Sequence, residues 1–179
     1  GTFFMCDTHI NEDPTAEQIA EMTIEAAEAV RRFGIEPKVA LLSYSNFGSR
    51  KGPSVAKMQQ AREMLEVLAP ELEVEGEMHA DIALNEELRA TAFPNSRLTG
   101  QANLLVMPNL DAANIAYNLV KCLADAQPVG PLLLGVDKPA HILTSSATAR
   151  SILNVTALAT VDAQQRDHDG ANQPVLFGV

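Results

Sequence analysis

Short apolar runs alternate along this chain with longer stretches in which apolar residues return every three or four positions. Residues 38–43 and 103–107 form runs too short for helices and apolar enough to be buried on both faces. Residues 2–6, 72–75, 131–135 and 140–143 are further strand candidates. Between the first two strands, Ile19, Met22, Ala26, Val30 and Phe33 share one helical stripe, and Glu17, Glu21, Glu25 and Glu28 occupy the remaining surface. Asp13 is placed to cap that helix with Pro14 at its first position, and Gly34 to end it. The same period predicts helices over 53–68, closed by Pro70, and over 85–91, 111–123 and 147–163. Strands alternating with helices specify an α/β fold, a mostly parallel sheet covered by helices. Residues 1–163 are expected to form one domain, and the polar segment 164–179 a flexible or docking tail carrying Val175, Leu176 and Phe177.

Composition narrows the possibilities. With 179 residues, 46% of them hydrophobic, the chain can bury a core of ordinary size. A net charge of −10, no basic stripe and no Trp argue against nucleic acid as the main partner. The apolar stretches 104–107 and 131–136 fall far short of the roughly 20 residues of a membrane span, so the expectation is no membrane and a cytoplasmic location. Cys6 and Cys122 lack partners at ligand spacing and are expected to be buried thiols. His9, His79, His141 and His168 are scattered, which favours structural or surface roles over metal ligation. No G-x-G-x-x-G, P-loop or G-x-S-x-G is present, so neither a dinucleotide site nor an α/β-hydrolase nucleophile is expected here.

Open α/β sheets bind ligands at the carboxyl ends of their strands, and three polar loops fall there. Ser43-Tyr44-Ser45-Asn46-Phe47-Gly48-Ser49 offers hydroxyls and backbone donors for phosphate or carboxylate oxygens, with Arg50 and Lys51 adjacent. Pro108-Asn109-Leu110-Asp111 opens the helix carrying Asn114 and Tyr117. Thr144-Ser145-Ser146-Ala147-Thr148 precedes the last helix, whose N-terminus favours an anion. Taken singly, each is also accounted for by turn chemistry and helix capping. Their combination is what marks the edge as a candidate site.

Several separated phrases carry a resemblance. They include Asp13-Pro14-Thr15-Ala16-Glu17-Gln18, the stretch from Phe33-Gly34-Ile35-Glu36-Pro37 to Ser43-Tyr44-Ser45, and Glu75-Gly76-Glu77-Met78. Pro94-Asn95-Ser96, Gly100-Gln101-Ala102-Asn103, Asn114-Ile115-Ala116-Tyr117, Gly130-Pro131 and Lys138-Pro139 follow in order. Over residues 3–163 the chain resembles the phosphate acetyltransferase family. The resemblance implies the second lobe, with its final helix, of a two-lobed fold of the isocitrate/isopropylmalate dehydrogenase kind that transfers acetyl between phosphate and CoA in the cleft between lobes. Active members carry a Ser-Arg-Gly-Cys-like motif before the last helix and an aspartate base nearby. Here the matching positions read Thr144-Ser145-Ser146-Ala147 and Ser151. A hydroxyl replaces neither a guanidinium nor a carboxylate, and Arg150 points elsewhere on the helix, so the resemblance implies that acetyl transfer is lost and no catalytic residue remains.

The phrases Ser43-Tyr44-Ser45-Asn46-Phe47-Gly48-Ser49 and Val136-Asp137-Lys138-Pro139-Ala140-His141-Ile142-Leu143-Thr144 are more similar to the C-terminal module of hybrid NADP-dependent malic enzymes. That resemblance implies a regulatory and oligomerisation module with acetyl-CoA as effector. NADP and a divalent metal would belong to a malic-enzyme domain absent here, and the first lobe would be a second missing partner. A homodimer or higher homo-oligomer is expected. The ligand contacts it suggests are Ser43, Ser45, Asn46, Ser49, Arg50, Lys138, Thr144 and Ser145. Two alternatives stay open: a divergent active phosphate acetyltransferase whose first lobe supplies the missing charge, and a lobe serving only as a dimerisation platform.

Overall fold

The computed structural model describes residues 1–124, 127–143 and 147–171, and the side chains of these up to residue 165. It divides into two compact units, Gly1–Ala126 and Gln127–Val179. The first is built on a sheet of four parallel strands, β1 (Phe4–Cys6), β2 (Lys38–Leu42), β3 (Glu73–Met78) and β4 (Leu104–Val106), in the order β1-β4-β2-β3. Because every strand runs the same way, all four carboxyl ends open on one edge.

Helices α1 (Ala16–Arg32) and α2 (Pro53–Leu68) pack on each other, α1 also against β1 and β4 and α2 against β2 and β3. Their stripes, Ile19, Ala26 and Val30 in α1 and Val55, Met58, Ala61 and Leu65 in α2, are buried. On the other side of the sheet, Ala40, Leu42, Leu105, Met107 and Met78 form a cluster with Ile82 and Ala83 of the short helix α3 (Ala80–Leu84) and Ala113 of α5 (Leu110–Leu123). Successive strand residues thus divide between two buried layers, as a doubly covered parallel sheet requires. Helix α4 (Glu86–Ala92) packs beside α3. Its Arg89 is fully buried and spans the carbonyls of Ile82, Ala83, Leu98 and Gly100, binding α3 to the segment that leads into β4. The second unit contains α6 (Ala149–Ala171).

The α2 boundaries and the α/β class agree with the expectation from sequence, and several details differ. Helix α1 is capped by Thr15 rather than Asp13: Thr15 Oγ1 accepts from Gln18 N while Gln18 Oε1 accepts from Thr15 N, a reciprocal capping box. Asp13 lies two residues too early for that geometry and pairs with Lys57 Nζ at 2.6 Å. Strand β3 runs past Glu75 to Met78, and the carboxylates of Glu75 and Glu77 both find donors there. Residues 131–135 and 140–143 are not strands. Leu133 N donates instead to His141 Nδ1 at 3.1 Å, a side-chain contact in place of a backbone ladder. Helix α6 extends past residue 163 to Ala171, and Cys122 is exposed rather than buried. Among the described residues no helix is long and apolar enough to cross a membrane.

Candidate functional site

The loop after β2 is built around one buried side chain that lies far away in sequence. Glu77, near the end of β3, is 1% exposed. Its Oε1 accepts Ser45 Oγ at 2.7 Å and Gly48 N at 2.8 Å, and its carbonyl accepts Phe47 N at 2.8 Å. Ser45 Oγ in turn accepts Arg50 N at 3.1 Å, and Ser49 Oγ accepts Asn46 N at 2.9 Å. The main-chain donors from Asn46 to Arg50 are therefore all engaged within the loop or by Glu77. At the loop's outer side, Asn46 Oδ1 accepts His79 N at 2.7 Å, and His79 Nε2 lies 2.9 Å from the Tyr44 carbonyl.

Two further features fix the loop. Phe47 adopts φ 47°, a conformation unusual for a side chain of its size, and its ring stacks on Phe93 with centroids 4.3 Å apart. Gly76 has φ 150°, and a Cβ there would lie 2.7 Å from the Leu41 carbonyl oxygen. Only glycine lets β3 approach β2 closely enough to bring Glu77 beneath the loop.

The loop after β1 is held differently. The Asp7 carboxylate accepts His9 N, Ile10 N and Asn11 N at 2.8, 3.1 and 2.7 Å, and Asn11 Nδ2 at 2.8 Å. Burial by itself would raise its pKa; the N–H groups of His9, Asn11 and Ile10 and the Asn11 amide outweigh it and hold the carboxyl below its ordinary value. Cys6, next along the chain, is pushed up to about 12 by desolvation and by the Asp7 charge, so it stays a thiol at neutral pH. This loop is joined to the one after β4: Leu110 N donates to Glu12 O at 3.1 Å and Asn114 Nδ2 to Thr8 O at 3.2 Å.

Ser43, Ser45, Asn46, Ser49 and Arg50 are thus brought together in one loop, yet they divide by role. Ser45 is fully buried, and it and Ser49 form the frame, as does the carbonyl end of Asn46. Arg50 and Lys51 are exposed, and no ion pair or side-chain hydrogen bond engages either cationic group among the described residues. Lys138 is an exposed residue of the second unit, while Thr144 and Ser145 lie outside the described residues. Ser151 stands at the third position of α6. Its N and hydroxyl both pair with Thr148 Oγ1 at 3.1 Å, so Thr148 caps the helix and Ser151 completes the cap. Sequence reading missed Glu77 as the organiser of the loop. The signal was available in Glu75-Gly76-Glu77, acidic residues at and just after the strand candidate 72–75, which have to find partners if they are buried. Among the described residues no group of His, Cys, Asp and Glu could hold a metal ion.

A parallel sheet with polar loops gathered at its carboxyl edge defines a class, the α/β lobe found in phosphotransacetylases. A phosphotransacetylase from Streptococcus pyogenes superposes with a TM-score of 0.83 at 37% identity, over 92% of this chain and 49% of that one. EutD phosphotransacetylase from Staphylococcus aureus gives 0.80 at 32% identity, over 91% and 50%. The chain belongs to the phosphate acetyl/butaryl transferase family, whose model matches residues 1–160. It is also 54% identical over 165 residues to the NADP-dependent malic enzyme of Escherichia coli, spanning 92% of this chain and 22% of that protein. The NAD-dependent malic enzyme of Rhizobium meliloti is 52% identical over 91% of the chain and 21% of its own length. The phosphate acetyltransferase of Clostridium acetobutylicum is 38% identical over 92% and 50%. The chain therefore spans about a fifth of the malic enzymes and half of that acetyltransferase.

Proposed function

We propose that this chain is an acyl-CoA-sensing and assembly lobe of a malic enzyme, binding acetyl-CoA without transferring its acetyl group. The observation that carries the reading is Ser151. At the position where the family resemblance calls for a carboxylate base, a hydroxyl is spent on capping α6 with Thr148. A serine hydroxyl has no proton-accepting power near neutral pH without a base of its own, and among the described residues no carboxylate is hydrogen-bonded to it. Greater identity to malic enzymes than to phosphate acetyltransferases supports the same reading. Arg50 and Lys51 supply exposed charge for the phosphates of CoA.

In the complete protein, malate oxidation would reside in a separate domain that supplies the dinucleotide and divalent-metal sites. The NADP and NAD relatives leave the choice of dinucleotide to that domain. Acetyl-CoA would regulate it only by binding two states of the assembly unequally, since coupling is a difference in affinity. The test is an acetyl-transfer assay on the complete protein, paired with malate kinetics at saturating acetyl-CoA. Altered malate kinetics with no transfer from acetyl phosphate to CoA is the expected result. Transfer above background would establish the active-acetyltransferase alternative instead, and unchanged kinetics would refute the sensing role.

A further inference from the structure

We infer that Glu77 is the positioning residue of the ligand loop: its buried carboxylate takes Gly48 N and the Ser45 hydroxyl, braces the loop from within, and, with the main-chain donors of residues 46–50 all engaged, leaves ligand recognition to side chains. This deepens the reading above and rests on it. Consecutive N–H groups in a tight loop make a concavity that ordinarily receives an anion. Here one of them goes to the Glu77 carboxylate, one to the Glu77 carbonyl and the rest to oxygens of the loop itself. Glu77 takes Gly48 N and Ser45 Oγ directly, while Ser45 Oγ and Ser49 Oγ pass the same constraint to Arg50 N and Asn46 N.

The consequence is a division of labour between the bracing residues of the 43–49 loop and the side chains that follow it. Phosphate oxygens of an acyl carrier find no free main-chain donor between Asn46 and Arg50. Side chains remain for them, among these the exposed Arg50 and Lys51, whose backbone the loop held by Glu77 places at this edge. A buried carboxylate is costly unless its lone pairs are met. Meeting them with loop donors, rather than with a cation, makes the carboxylate a mould for the loop.

The experiment compares Glu77→Ala and Glu77→Gln in the full chain, by amide hydrogen exchange and by calorimetric titration with acetyl-CoA. In Glu77→Ala the Gly48 and Arg50 amides should exchange about tenfold faster or more while α1 and α2 amides keep their protection. Acetyl-CoA affinity should fall about tenfold. Glu77→Gln, whose Oε1 can accept the same two bonds, should restore most of both. Unchanged exchange at Gly48 and Arg50 in the alanine variant would overturn the proposal, as would a glutamine variant as loose as the alanine one. If the alanine variant does not fold, Ser45→Ala removes only the relaying hydroxyl. It should free the Arg50 amide, and continued protection there would overturn the proposal equally. Absence of acetyl-CoA binding by both the wild-type chain and the complete protein would defeat the sensing reading, while the exchange arm would still decide the role of Glu77.

Discussion

Two carboxylates hold two loops at the same edge of the sheet, from very different distances along the chain. Asp7 gathers the N–H groups of His9, Ile10 and Asn11, two to four residues on, and the turn stays partly open to water. Glu77 reaches donors 29 and 32 residues earlier and is closed off from solvent. A local turn of the first kind is specified by its own residues and can respond to pH. A remote anchor of the second kind depends on the register of β3 against β2, and its loss strands two donors of one loop at once, among them the buried Ser45 hydroxyl.

The comparison breaks most severely at Gly76. Gly76→Ala would set a methyl 2.7 Å from the Leu41 carbonyl oxygen at a φ that side chains avoid, and should cost about 4 kcal/mol or soluble expression altogether, measured by urea unfolding. Glu77→Ala leaves Ser45 Oγ and Gly48 N without their acceptor and should cost about 3 kcal/mol by the same measurement. Asp7→Ala, removing a local and partly solvated anchor, should cost about 1 kcal/mol. A cost at Asp7 equal to that at Glu77 would erase the distinction between them.

A finer probe is pH. The folded-state pKa of Asp7 lies below its ordinary value of about 3.9, so its contribution to stability is present above that value. It is lost as pH falls through the lowered folded value. Wild type and Asp7→Asn should therefore converge in stability with falling pH below about 4, in acid unfolding followed by circular dichroism. The smallest effect is chemical. At neutral pH an alkylating reagent should label exposed Cys122 well before Cys6, whose thiol burial and Asp7 push up to about 12.

Much of the fold was legible because its signals are local. Pro53 at the start of α2, and Gly34 with φ 71° after α1, each act through their own backbone preference. The misread segments are those where composition spoke without context. Residues 131–135 and 140–143 have the apolar character of strands but no neighbouring ladder, and Pro131 and Pro139 each lack the N–H that a ladder uses. In the candidate site, Ser43-Tyr44-Ser45-Asn46-Phe47-Gly48-Ser49 was legible as a polar loop following a buried strand. Which of its hydroxyls brace the loop was not, because the partner that decides it, Glu77, enters only through the pairing of β2 with β3.

The central claim is a lobe that binds acetyl-CoA and does not turn it over, and a calorimetric titration of the wild-type chain with acetyl-CoA, with acetyl phosphate and CoA as controls, tests it most directly. The account predicts saturable one-site binding of acetyl-CoA, weakened by Arg50→Ala, with no heat from acyl transfer when acetyl phosphate and CoA are combined. Absence of acetyl-CoA binding by both this chain and the complete protein, or turnover by the complete protein, would contradict it.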